Sequence, residues 1–313
     1  MMSAQWISFV LAVGGVASCT AAEPSQTPEI TSGPTASIPS ESPVEGRILF
    51  SRITPSGVTE FFVAAPDGSA PTLFAPGKEF EARNLSPNGT RLAVVAANEE
   101  GALVGGTVHV DGTRFRLLAS PGPSLNLACG VWASPRRLAC EGWDDSDPSR
   151  NGVYRVRSSD GGGVRRLTRE RDVPCEYSRD GTQLAFVRTA DDPSSGALMV
   201  MDAGGGEARV LLDDVALSGI ACDWSPDGRV ILAGGADGRL MTVSTDGASS
   251  PISGDGIDGY ASGGTWSLDG SHIMFSMTLE GDQWDVYVAS ADGSNLARIT
   301  DSALIEEAAV WLP

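Results

Sequence analysis

From Gly46 to Pro313 the apolar residues fall in short runs, broken at near-regular intervals by turn residues. A five-residue turn recurs as Leu85-Ser86-Pro87-Asn88-Gly89, Tyr177-Ser178-Arg179-Asp180-Gly181, Trp224-Ser225-Pro226-Asp227-Gly228 and Trp266-Ser267-Leu268-Asp269-Gly270. Trp132-Ala133-Ser134-Pro135 is a shortened copy, and Trp311-Leu312-Pro313 a truncated one. The leading residues stand 47, 45, 47, 42 and 45 positions apart. Behind each complete turn comes a β-rich run, such as Leu92-Ala93-Val94-Val95 or Ile273-Met274-Phe275. A second mark alternates with the first: Asp67-Gly68, Asp111-Gly112, Asp160-Gly161, Asp202-Ala203-Gly204, Asp246-Gly247 and Asp292-Gly293. Asp-Gly between two β runs predicts a tight hairpin, because glycine adopts φ > 0 without steric cost. Each period therefore predicts four antiparallel strands, A to D, with tight turns after A and after C. No sustained apolar period of 3.6 residues predicts a substantial helix.

Four antiparallel strands in about 45 residues make one propeller blade, and six such periods fill residues 46–313. The first period opens at Ile48-Leu49-Phe50-Ser51, a B strand with no turn before it, and the chain ends on an A strand. Residues 308–312 are thus expected to supply the missing strand of the first blade. Such a closure removes the open edges that a linear array exposes. The expected fold is all-β, a six-bladed propeller of four-stranded antiparallel blades. The repeat tryptophans are expected to wedge between blades.

The Trp-Ser-Pro-Asp-Gly turn, followed by an apolar strand and an Asp-Gly hairpin, resembles the WD-like repeats of TolB-type propellers across nearly all of residues 46–313. The resemblance specifies fold far better than function, which sits on loops grafted onto the scaffold. It covers both envelope proteins and the propeller domains of prolyl-oligopeptidase-like enzymes. TolB itself is periplasmic with an added N-terminal α/β domain. The chain has no room for that domain, which argues against a role in the Tol system.

The first 45 residues read differently. Trp6 to Val16 is a short apolar run, and Val16-Ala17-Ser18-Cys19 resembles a bacterial lipobox, with residues 1–18 as the signal peptide and Cys19 as the lipidated residue. Met1 to Gln5 lacks the usual basic residues. Residues 19–45 then form a tether rich in Pro, Ser and Thr, with no apolar periodicity. An exported protein anchored by lipid at the envelope is expected.

Composition narrows the chemistry. With 22 Lys+Arg against 40 Asp+Glu the net charge is −18, which argues against a nucleic-acid partner, since such binding needs clustered positive charge. Only His109 and His272 are available, both within predicted strands, and Lys78 is the sole lysine. Neither a Gly-x-Ser-x-Gly elbow nor a phosphate-binding Gly-x-x-x-x-Gly-Lys loop occurs. The residues point away from catalysis and toward a monomeric binding scaffold whose partner is an envelope protein or a small ligand.

The A–B and C–D turns lie at one end of the blades and the B–C and D–A loops at the other. The second set is acidic: Glu99 and Glu100, Asp144, Asp145 and Asp147, Asp191 and Asp192, Asp255 and Asp258, Glu280, Asp282 and Asp285, Glu306 and Glu307. A solvated rim accounts for such residues, and so does capture of a basic protein or a cation. Trp143 and Trp284, the two downstream tryptophans outside the repeat position, stand at B–C junctions and mark the same end. The candidate partner-binding set is Trp143, Asp144, Asp145, Asp147, Asp191, Asp192, Asp282 and Trp284. Within it, Asp145, Asp147, Ser149 and Asn151 alternate oxygen ligands like an incomplete calcium loop, with its glycine late and no closing glutamate. No other cofactor is implied. The runner-up function is an envelope glycan- or peptide-processing hydrolase or lyase that uses carboxylates of this acidic end. Four cysteines besides Cys19 suit an oxidising compartment. Folding the Trp132 hairpin sets Cys129 opposite Cys140, an expected disulfide. Cys175 and Cys222 occupy equivalent repeat positions and point the same way, so their pairing stays open.

Overall fold

The computed structural model describes residues 45–122, 124–189, 195–216, 222–257, 259–279 and 283–313. The expected signal, lipidation and tether residues, together with Asp191, Asp192, Asp258, Glu280 and Asp282, lie outside them. The chain opens with β1 (Arg47–Ile53), β2 (Thr59–Ala64) and β3 (Thr72–Phe74). There follow β4 (Glu81–Leu85), β5 (Arg91–Ala97), β6 (Leu103–His109) and β7 (Arg116–Leu117), then β8 (Asn126–Ser134), β9 (Arg137–Trp143), β10 (Gly152–Arg157) and β11 (Arg165–Arg166). Next are β12 (Asp172–Tyr177), β13 (Gln183–Thr189), β14 (Ser195–Asp202) and β15 (Ala208–Ala216), and β16 (Cys222–Trp224), β17 (Val230–Gly234), β18 (Leu240–Ser244) and β19 (Ser249–Pro251). The last are β20 (Tyr260–Trp266), β21 (His272–Thr278), β22 (Asp285–Ser290), β23 (Ala297–Arg298) and β24 (Glu306–Leu312). Among the described residues the sole helical element is a single 3-10 turn over Pro148–Arg150.

The strands form antiparallel four-stranded sheets. β24-β1-β2-β3, β12-β13-β14-β15, β16-β17-β18-β19 and β20-β21-β22-β23 are separate, while β4 to β11 make one sheet of eight. That larger sheet divides into two antiparallel fours, joined only by a parallel bridge between Val104 of β6 and Leu127 of β8. The last strand pairs with the first, Trp311 opposite Ile48 and Leu312 opposite Arg47.

The four complete turns repeat one hydrogen-bond pattern. The buried serines Ser86, Ser178, Ser225 and Ser267 each accept the N–H of the glycine three residues on, at 2.7–2.9 Å. Each serine hydroxyl donates to the Asn or Asp two residues on and accepts an N–H five residues on, as Ser225 does with Asp227 and Val230. The glycine stands at positive φ, +69° at Gly228, where a side chain would strain the backbone. This chemistry fixes where each first strand ends.

Packing between sheets follows the repeat. Trp132, Tyr177, Trp224, Trp266 and Trp311 are all buried, each in an apolar cluster shared with the sheet before it. Trp266, for example, lies with Leu232 and Leu240 of β17 and β18. β4 packs on β8, β8 on β12, β12 on β16, β16 on β20, β20 on β24 and β24 on β4. The strands in that succession bulge just before the repeat aromatic, at β4, β8, β12, β20 and β24. A bulge there bends the strand and increases its local twist.

Both cysteine pairs are joined in the structure, Cys129 to Cys140 within one sheet and Cys175 to Cys222 between two, the latter with Cα atoms 5.4 Å apart. The equivalence expected of Cys175 and Cys222 fails for a local reason. β12 slips register between Pro174 and Glu176, whereas β16 pairs with its neighbour without a slip over its described residues, Cys222 to Trp224. The two side chains are therefore brought face to face.

Candidate functional site

The end of the molecule bearing the Asp-Gly and Ser-x-Asp-Gly turns is explained by backbone geometry. Asp67, Asp111, Asp160, Asp246 and Asp292 each accept the N–H two residues on. Hydrogen bonds hold these carboxyls below their ordinary range; Asp160, bonded by Arg157, is lowered to about 2. Their charge belongs to the turns.

At the opposite end, β9 and the loop after it carry four of the expected partner-binding residues. Trp143, half-buried, closes β9 opposite Asn126. Asp144 is enclosed by its own loop: Oδ1 accepts the N–H and hydroxyl of Ser146 and the N–H of Asp147, and Oδ2 pairs with Arg150. The Ser146 hydrogen bond leads in holding this carboxyl low. Asp144 is a loop-forming residue and does not stand free. Asp145 and Asp147 are exposed, but Asp147 caps the 3-10 turn by accepting from Ser149, while Asn151 accepts the Asp144 N–H. Three of the four candidate calcium ligands thus serve the loop's own hydrogen bonds. Among the described residues no group of three or more His, Cys, Asp or Glu could hold a metal ion.

Trp284 lies on a different sheet, half-buried before β22, with its ring edge-on to Tyr260 at 5.9 Å. Its carbonyl accepts the Glu306 N–H, which ties the loop to β24. The two tryptophans therefore stand on separate sheets, one closing β9 and the other between β21 and β22.

A second group emerges only in three dimensions. Glu176 Oε2 accepts the Trp224 N–H at 2.6 Å, and Asp223 Oδ2 accepts the Thr265 hydroxyl and the Trp266 N–H, both at 2.7 Å. The residue before one repeat aromatic thereby fastens the aromatic of the next sheet. The Trp266 indole returns a bond to the Asp223 carbonyl at 3.2 Å, and Trp311 does the same to Thr265 at 3.3 Å. Burial pushes the Glu176 carboxyl well up, helped by the neighbouring Asp223. Glu141 and Glu307 are also raised, chiefly by burial. Glu141 feels Arg83 and Arg171 as opposing charges, and Glu307 feels Glu81 as a like one. These side chains are crowded by protein yet keep some contact with solvent. Gly130 helps: a Cβ there would stand 2.8 Å from Arg83 Cγ, so its absence lets Arg83 lie across β8. The sequence signal was available as an acidic residue directly before the repeat aromatic, in Glu176-Tyr177 and Asp223-Trp224.

No protein-family model matches the chain. The Tol-Pal system protein TolB of Anaeromyxobacter dehalogenans (strain 2CP-C) is 32% identical over 143 residues, 43% of this chain and 31% of that protein. The chain thus matches about a third of the length of this curated relative. The crystal structure of TolB from Acinetobacter baumannii superposes with a TM-score of 0.64 over 86% of this chain and 65% of that one, at 15% identity. The fold is a TolB-type β-propeller. The same scaffold carries other activities: an oligogalacturonate lyase in complex with manganese matches 82% of this chain and 74% of that one, at a TM-score of 0.55 and 14% identity. At these identities the solved structures speak for the propeller fold alone.

Proposed function

We propose that the chain is an exported, envelope-located TolB-like scaffold that binds a protein partner without catalysing a reaction. Its architecture in this reading is a six-bladed ring over residues 46–313, closed by β24. The succession of first strands, each packed on the next and β20 packed on β24, supports closure, as does the pairing of Trp311 with Ile48. Residues 1–18 act as the signal peptide, Cys19 as the lipidated residue and 19–45 as the tether. Two disulfides in the folded domain favour an oxidising compartment.

The observation that carries the functional reading is the 143-residue match to a Tol-Pal system protein. The loop end then takes the partner. Trp143 and Trp284 are half-buried aromatics at this end, and Asp145 and Asp147 are exposed acids in the loop that follows Trp143. Asp191, Asp192 and Asp282 extend the set. A basic patch on the partner complements this charge. A carboxylate enzyme of envelope glycans or peptides is the second reading, favoured by the raised carboxyls of Glu141 and Glu176.

Envelope extract passed over the immobilised protein tests the first reading. A basic protein retained at low salt and released as salt rises is the expected result. A panel of glycans and peptides tests the second, and turnover abolished by Glu176→Gln would replace the scaffold reading with the enzyme.

A further inference from the structure

The turn end of β9, β10 and β11 carries clustered positive charge. Arg155 and Arg157, two residues apart in β10, point to the same face of their sheet. Register sets Arg157 directly opposite Arg137 of β9, and Arg155 directly opposite Arg165 of β11. Four guanidinium groups therefore share one face, in a chain whose net charge is −18. That face is turned toward the next sheet: Ala139 and Val153 cluster there with Tyr177, Phe186 and Met201. Arg155 stands close enough to the Tyr177 phenol to oppose the upward push of burial on it.

Like charges directly opposite each other destabilise a sheet, and the surrounding acids do not cancel these. Asp160 accepts from Nε and Nη2 of Arg157, at 3.0 and 2.9 Å. On the next sheet Asp180 is bonded by Ser178 and Thr182 within its own turn, and Arg179 beside it is a further positive charge. Asp202 stands opposite Gln183, out of phase with the Leu184–Met201 pair that faces the arginines, and so lies on the far side of that sheet. Among the described residues neither Arg137 nor Arg155 has a hydrogen-bond or ion-pair partner.

Two of the donors converge. A Cβ built on Gly163 would stand 3.3 Å from Arg137 Nη1 and 3.5 Å from Arg157 Nη1, the nitrogen of Arg157 that Asp160 leaves free. Gly163 is exposed, and so is the Arg157 side chain at 49%, which leaves the converging nitrogens open to solvent. Charge and shape then select the occupant. A cation is repelled. A carboxylate is planar and matches a single guanidinium fork, a role that Asp160 already fills for Arg157. A phosphate group carries more charge and directs its oxygens tetrahedrally, so it can accept from two guanidinium groups at once. We infer that this end of β9–β11 is a binding site for a phosphate group, bridged between Arg137 and the free Nη1 of Arg157, with Arg155 and Arg165 adding to the positive field. Binding turns an opposed pair of like charges into two contacts to one ligand. A free phosphate and a phospholipid headgroup offer the same chemistry. The inference is independent of the protein-partner reading.

Two measurements on the full chain test it. Calorimetric titration with inorganic phosphate, at constant ionic strength and beside acetate, reads a free phosphate. Co-sedimentation with phosphatidylglycerol vesicles, beside phosphatidylcholine vesicles, reads a headgroup. Phosphate is expected to bind more tightly than acetate, or phosphatidylglycerol to retain more chain than phosphatidylcholine. In the arm that binds, Arg137→Ala should weaken the interaction about tenfold, the loss expected of a hydrogen bond to a charged group. Arg229→Ala, whose side chain is 84% exposed on a different turn, should leave it unchanged. Removing one of two opposed charges relieves repulsion, so Arg137→Ala is expected to fold. If it does not, Arg165→Ala, at an exposed position, carries the test with a loss of about threefold, the effect of one neighbouring surface charge. The inference is overturned if neither arm shows binding, if acetate binds as tightly as phosphate and both vesicles retain the chain equally, or if binding is unchanged in the arginine variants that fold.

Discussion

Replacing Trp311 with alanine probes the joint on which the ring reading depends. Trp311 is 2% exposed and packs with Ile48, Phe50, Met274, Val286 and Val288, side chains from the first and last sheets. Its indole N–H reaches the Thr265 carbonyl at 3.3 Å. Truncating a buried tryptophan costs about 3–5 kcal/mol, and the lost hydrogen bond adds about 1 kcal/mol. For a domain of this size 1 kcal/mol corresponds to roughly 2–4 °C in Tm, so Trp311→Ala should lower Tm by about 10 °C or more. Calorimetry beside Val210→Ala, half-exposed on β15, supplies the comparison. That control should stay within about 0.5 kcal/mol of the parent. Equal small shifts in both variants would mean that β24 is a loosely held tail, and the closure argument would fail.

Stability should peak on the acid side of neutrality. Carboxyls raised by burial, Glu141, Glu176, Glu307 and Asp285, take up protons more readily folded than unfolded, so stability falls as pH rises through their folded pKa values. The turn aspartates have the opposite sign: Asp160 and Asp269, lowered to about 2, contribute stability above the unfolded carboxylate range that is lost as pH falls toward 2. A Tm that climbs steadily from pH 4 to pH 8 would contradict this balance. The disulfides should differ in effect. Loop-closure entropy assigns about 4 kcal/mol to Cys175–Cys222, separated by 47 residues, and about 3 kcal/mol to Cys129–Cys140, separated by 11. Urea unfolding of the two double serine variants checks the order, and a larger loss for Cys129/Cys140 would reverse it.

The β architecture was legible because its determinants are local. Ser-x-Asp-Gly and Asp-Gly turns carry their own hydrogen bonds, and the serine, the acceptor and the glycine all sit within a few residues. The four-strand period and the burial of the repeat aromatics follow from them. What depends on the contact between sheets was harder to read. The slip at Cys175 has no sequence mark, so the pairing of two cysteines in equivalent repeat positions, open from the sequence, is settled only by the fold. Asp144 looked like a free acid because its partners, Ser146 and Arg150, are ordinary loop residues until the chain folds back on itself. Glu176 and Asp223 find the N–H groups that they accept only on the next sheet, so no local signal assigns them that role.

The central claim, a partner docked on the loop end, is tested most directly by association kinetics of the basic protein captured from envelope extract, measured against ionic strength. Electrostatic steering predicts an on-rate that falls steeply as salt rises. Trp143→Ala and Trp284→Ala should speed dissociation more than charge reversal at Asp145 or Asp147, because aromatic anchors carry more interface energy than rim charges. An on-rate indifferent to salt, with affinity unchanged in both tryptophan variants and in charge reversals at Asp145, Asp147, Asp191 and Asp192, would place the partner elsewhere on the propeller.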